Sequence, residues 1–151
     1  MQARCALYGL DCSEHMLSVA AGKNIYDGLY HDDVTEFSDK HQPQYDAITA
    51  AALLIHFGDL VTILQSVCAR LCTGGAFVFS VYSNDDYDNQ GVGPHPELGL
   101  AKAGCYAHGS AYVDHTAQQA GLHVRNIVPI IHEASAGHSA PGLVVTLTAS
   151  N

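Results

Sequence analysis

The stretch YDAITAAALLI, residues 45–55, restricts the fold more than any other. It is a nearly unbroken apolar run, and an antiparallel strand with one wet face would instead alternate apolar and polar residues. The run therefore predicts a strand buried on both faces of a parallel sheet. Parallel neighbours cannot be joined by a tight hairpin; they need a crossover, usually a helix. Helical segments should then alternate with strands along the chain.

They do. Residues 3–10 read as a strand, and Ser13 to Ala21 as a short helix with Ser13 as its N-terminal cap and Gly22 as its stop. Ile25 to Tyr30 reads as a second strand, followed by VTEFSDKHQPQ, where Pro43 blocks a long helix. Asp59 to Cys72 is the clearest helix: Leu60, Leu64, Val67 and Leu71 recur with helical spacing, Asp59 can cap it and Gly74 can close it. GGAFVFSVY is a further buried strand. SAYVDHTAQQAG is a helix with Ser110 as cap, Tyr112, Val113, Ala117 and Ala120 inward, and Gly121 as stop. Leu122 to Ile131 and Leu143 to Thr148 are joined by the turn-rich ASAGHSAPG and should pair antiparallel. The order predicts an α/β sheet covered on both faces and closed by an antiparallel hairpin. Residues 83–109 form one long irregular segment rich in Asp, Gly and Pro, and loops of that length are usually either functional lids or disordered.

Composition excludes several functions. The chain has 151 residues, enough for one core and short for two domains. With 48% apolar and 14% charged residues it is not a disordered chain, and no apolar run reaches the roughly 18 residues of a membrane helix. A net charge of −9 would repel a nucleic acid backbone, so no nucleic acid and no membrane partner is expected. Five cysteines without a C-x-x-C pair, and no signal-peptide pattern, point to a cytoplasmic setting. Ten histidines are scattered without metal-ligand spacing, so no metal is expected.

The strand-to-helix junction LYGLDCSEHML bears most directly on function. Asp11 ends a strand just before a helix begins. In open α/β sheets ligands bind across the carboxyl ends of strands, where a carboxylate can accept both hydroxyls of a ribose. An Asp at such a junction is more often a simple turn or cap residue.

Taken together, LYGLDCSEHML, Asp33 after the next strand, YDAITAAALLIHFGDL and LCTGGAFVFSVY resemble class I S-adenosylmethionine-dependent methyltransferases. In that family the second strand ends in GxDxSxxML, the third is followed by an Asp that contacts adenine, the fourth begins at an aromatic-Asp pair, and a helix ends in LxxGG before the fifth. GCYAHGSAYVDHTAQQAGLHV and IIHEASAGHSAPGLVV look like the tail of small-molecule methyltransferases whose relatives often carry tetratricopeptide repeats. The resemblance implies a Rossmann-like fold over residues 1–151 as a single partial domain, with residues 83–109 as lid. It also implies S-adenosylmethionine as cofactor and a small-molecule acceptor. Asp11 would hold the ribose hydroxyls, and Cys12 and Met16 would lie beside the adenine. Asp33 would accept from the adenine amino group, Val34 would offer a backbone N–H, and Ala50 and Ala51 would turn carbonyls to the methionine moiety. For Met16 a place in the helix core is the rival reading.

Family members begin with a strand and a Gly-rich turn, a unit of about 30 residues, yet ten residues precede Asp11 here. The family pattern thus predicts a sheet truncated at its start, lacking the first strand and helix. The slot would be left as a gap or filled by a strand from another copy, as a homo-oligomer completing the sheet. An inactive remnant serving as a binding module is the alternative to an enzyme. Cys105 in GCYAH and His132 stand where relatives carry arginine, whose rigid fork neither can copy. Methyl transfer mainly requires alignment of the acceptor and exclusion of water. For a hydroxyl or acid acceptor, His108 and His56 are the candidate bases, and both could instead be polar residues at element ends. Tyr82 and Tyr106 could set ring faces against the sulfonium or acceptor, or simply pack.

Overall fold

The computed structural model describes residues 5–37, 43–85, 92–94, 105–135 and 138–150. The chain forms two compact units, Met1–Gln42 and Pro43–Asn151.

In the first unit, β1 (Tyr8–Asp11) leads through α1 (Glu14–Ala21) to β2 (Gly28–His31), and a single 3₁₀ turn follows at Val34–Glu36. The two strands pair parallel, Tyr8 opposite Gly28 and Asp11 opposite His31. Ser13 caps α1 as its residue type predicts: it is extended, and its Oγ accepts the Met16 N–H at 3.3 Å. Gly22 keeps a right-handed conformation, and Asn24 instead turns the chain with φ 52°. Asn is one of the few Cβ-bearing residues that visits this region readily.

In the second unit, β3 (Tyr45–Ala50) is followed by a 3₁₀ turn at Leu54–His56, α2 (Val61–Arg70) and β4 (Leu71–Ser83). Then come β5 (Val92–Pro94), β6 (Tyr106–His108), α3 (Ser110–Gln119), β7 (Leu122–Ser135) and β8 (His138–Ala149). β4 is the central strand. It pairs parallel with β3 over Ala76–Phe79 and with β6 at Tyr82 and Ser83, and antiparallel with β8 over Ala76–Tyr82. β7 and β8 form the closing antiparallel hairpin, and β5 pairs antiparallel with β6.

One face of this sheet carries the core. Phe77, Phe79 and Val81 alternate along β4, in register with Leu147, Val145 and Leu143 of β8, and all six are buried. α2 supplies Ile63, Leu64 and Val67, and α3 supplies Val113, Thr116 and Ala117. Each large apolar side chain so enclosed contributes about 1.5–3 kcal/mol. Leu60, Leu64, Val67 and Leu71, singled out by their spacing, are all buried.

The structure departs from the sequence expectation at several points. The apolar run 45–55 is not one strand buried on both faces. β3 stops at Ala50, and Asp46, Ala47 and Thr49 are exposed. Ala52 enters the left-handed region with φ 53°, and Leu54 and Ile55 are buried in the turn beyond it. A continuous apolar run shows that residues are buried without showing in which conformation. Asp59 lies one residue before the cap position of α2, yet its Oδ1 still accepts the Val61 N–H at 2.9 Å. α2 runs into β4 at Leu71 without a glycine stop. Ser110 is the first residue of α3 and does not cap it: the carboxylate of Asp85 receives the Ser110 N–H at 2.6 Å and its hydroxyl at 3.0 Å. Gly121 ends that helix as expected, with φ 80°. The segment read as irregular, 83–109, contains β5, β6 and the end of β4, while 86–91 and 95–104 lie outside the described residues.

Candidate functional site

Asp11 is half-buried at the carboxyl end of β1. Its Oδ1 accepts the Ser13 N–H at 2.8 Å, so it does serve the turn into α1. Its second oxygen has no hydrogen-bond partner among the described residues. One carboxylate oxygen thus fixes the turn, the role expected of a turn or cap residue, and the other is left open. A hollow of about 200 Å³ adjoins it, lined by Gly9, Asp11, Met16, Ala20 and Leu29 among others. Met16 is 54% exposed, so it is not a core residue of this unit and its thioether is available to a ligand. Cys12 is exposed, and its carbonyl accepts from His31 Nε2 at 2.9 Å. His31 stands opposite Asp11 in the strand register and so pins the backbone just after the carboxylate. Sequence reasoning missed this residue, whose only signal was its place at the end of the neighbouring strand.

Asp33 follows two residues beyond His31. It caps the 3₁₀ turn, its Oδ1 accepting the Thr35 N–H at 2.8 Å and the Thr35 hydroxyl at 2.7 Å. Val34 opens that turn, where helical geometry leaves N–H groups without internal partners. An open carboxylate oxygen beside a hollow, an exposed thioether and a turn N–H form a donor and acceptor set that fits an adenosine.

In the second unit, Ala50 ends β3 and is half-buried, and Ala51 is exposed. The Ala52 N–H donates to Ser80 Oγ at 3.0 Å. Tyr82, 2% exposed, donates its hydroxyl to Glu133 Oε2 at 2.7 Å, and its ring lies 4.4 Å from that of His132. Burial pushes its phenol above the ordinary range, and Cys105 adds to that. Its ring is therefore packed in this structure rather than offered to a ligand. Tyr106 is half-buried, with its ring against Gly58.

His108 is fully buried and stacks on Tyr112 at 5.7 Å between ring centroids. Its Nε2 lies 2.9 Å from the Phe57 carbonyl. A carbonyl only accepts, so Nε2 carries the proton and the neutral ring has its lone pair on Nδ1. That atom is buried without a hydrogen-bond partner among the described residues. Burial drives the imidazole pKa below its usual 6.5, outweighing the opposite pull of the Phe57 and Gly58 backbone. His56 lies on the exposed side of the turn at Leu54–His56.

The sequence profile of the family described as "Methyltransferase domain" matches residues 1–79, more than half of the chain. The family match and the fold define a class I methyltransferase, whose cofactor is S-adenosylmethionine. The chain belongs to the methyltransferase domain family. No curated protein matches it. Among solved structures it is similar to an S-adenosylmethionine-dependent methyltransferase from Clostridium acetobutylicum, at 15% identity and a TM-score of 0.72, over 97% of this chain and 76% of that one. The N-methyltransferase NodS from Bradyrhizobium japonicum, in complex with S-adenosyl-L-homocysteine, is similar at 17% identity and a TM-score of 0.68, over 97% and 67%. Magnesium protoporphyrin IX methyltransferase (ChlM) from Synechocystis, with bound S-adenosylmethionine, is similar at 13% and 0.65, and this chain spans 60% of its length. At such identities the likeness establishes the Rossmann-like fold. No described helix is long and apolar enough to cross a membrane.

Proposed function

We propose that this domain transfers the methyl group of S-adenosylmethionine to a small-molecule acceptor. The observation that carries the reading is Asp11: a strand-end carboxylate with one oxygen committed to Ser13 and the other open beside a hollow. In the first unit, Asp11 accepts the ribose hydroxyls, Cys12 and Met16 flank the adenine, and Asp33 with the Val34 N–H reads its edge. In the second unit, the Ala50 and Ala51 carbonyls receive the methionine end. The bound cofactor supplies a methyl group already activated on a sulfonium. The chain has only to orient the acceptor in line with that group and keep water out.

A small molecule as acceptor is supported by the closing hairpin and the GCYAH and IIHEAS segments, and one structural neighbour is named for magnesium protoporphyrin IX. Within residues 83–109, the chain between β4 and β6 is assigned as the acceptor lid on its length and composition. For an acceptor that must lose a proton, the candidate bases are His108, whose lone pair lies on the buried Nδ1, and the exposed His56. All five cysteines are free, in keeping with a reducing, cytoplasmic setting.

Calorimetric titration with S-adenosylhomocysteine tests the reading. Saturable binding is expected, weakened roughly a hundredfold by Asp11→Ala through loss of two charge-assisted hydrogen bonds. Absence of saturable binding by the parent protein overturns it.

A further inference from the structure

The turn after β3 is held from a distance. Ala52 sits in a left-handed conformation, φ 53°, that a Cβ-bearing residue keeps only where its surroundings demand it. Its N–H is taken by Ser80 Oγ at 3.0 Å, a side chain on the central strand β4. The same Oγ lies 3.2 Å from His132 Nε2. A hydroxyl has one proton and two lone pairs, so it can receive the Ala52 N–H and bond His132 at once.

His132 reaches Ser80 because of two features of the hairpin. Ile131 pairs with Pro141 and Glu133 with Ala140, which leaves His132 as the extra residue of a β-bulge, a device that re-aims a side chain. It also lies tightly over Gly142: a Cβ at that position would stand 2.5 Å from His132 Cβ and 2.8 Å from the Val81 carbonyl oxygen. The ring of Tyr82 flanks the imidazole at 4.4 Å.

We propose that Ser80 and His132 are positioning residues: together they brace the turn at Ala50–Ala52 in the shape that presents the Ala50 and Ala51 carbonyls to the amino-acid end of the cofactor. This deepens the functional reading above and rests on it. The brace acts on one end of the ligand only. Removing it weakens binding of a molecule with the methionine chain and leaves untouched one that lacks it.

Two measurements on the full chain test this. In calorimetry, Ser80→Ala lowers affinity for S-adenosylhomocysteine roughly three- to tenfold, the loss of one neutral hydrogen bond's worth of organisation. Affinity for methylthioadenosine, which lacks the amino-acid end, stays at the parent value. Ser80→Thr, which keeps the hydroxyl, restores binding, and His132→Leu follows Ser80→Ala while His132→Gln recovers. In amide hydrogen exchange without ligand, the Ala52 N–H exchanges roughly fivefold faster or more in Ser80→Ala, and the core amide of Leu64 is unchanged. Equal loss for both ligands, or no loss for either, overturns the proposal, as does an unchanged Ala52 exchange rate. A parent protein that binds neither ligand overturns the functional reading and this role with it, whereas intact parent binding with an unaffected Ser80→Ala overturns the brace alone.

Discussion

Replacing His108 with glutamine should lessen the acid sensitivity of this fold. The imidazole is fully buried, its Nε2–H is given to the Phe57 carbonyl, and its Nδ1 has no hydrogen-bond partner among the described residues. Protonating Nδ1 would bury a charge, and desolvation outweighs the opposite pull of the Phe57 and Gly58 backbone, so the folded-state pKa lies below 6.5. Above 6.5 both folded and unfolded states hold the ring neutral, and stability is full. Below it the unfolded chain binds a proton that the folded one refuses, and stability falls as pH falls until the depressed folded pKa is passed. One pH unit below 6.5 the loss reaches up to about 1.4 kcal/mol, and one unit above it is under about 0.1 kcal/mol. Glutamine can still donate to Phe57 and does not titrate. Urea unfolding at the two pH values reads the effect as a midpoint drop that is larger in the parent than in His108→Gln, by at most roughly 0.5–1.4 M. Parallel midpoint shifts in the two proteins would refute the buried neutral imidazole.

Three further substitutions probe the elements that shape the second unit. Gly142→Ala forces a methyl against His132 Cβ and the Val81 carbonyl, and should cost about 1–3 kcal/mol by thermal or urea unfolding. Leu64→Ala, at a position with no exposure, should cost about 2–5 kcal/mol in the same assay. Asp85→Ala removes the carboxylate that caps α3 through Ser110, and should cost about 1 kcal/mol, with faster amide exchange confined to the first turn of that helix.

Much of the scaffold was legible because its determinants are local. The four-three-four spacing of Leu60, Leu64, Val67 and Leu71 aims them to one side of α2, the first and last at its two cap positions, and all four are buried. Ser13 and Gly121 act through backbone geometry within a few residues of themselves, so their roles as cap and stop could be read from residue type and position. The closing hairpin followed from two apolar segments separated by a turn-rich one, and β7 pairs with β8 along most of its length.

The sequence alone therefore determined which faces are apolar, where helices alternate with strands, and that a carboxylate stands at the rim of a parallel pair. Only the tertiary structure decided what that carboxylate does, one oxygen held by Ser13 and the other left open. It also decided that Asp85 caps α3 from 25 residues away, and that a bulge carries His132 to Ser80 and so to Ala52. These contacts depend on how strands close side by side, and no spacing along the chain encodes them. Periodicity fixes the direction of a side chain relative to its own element, but a hydrogen bond needs two elements placed to within a few tenths of an ångström, and packing alone sets that distance.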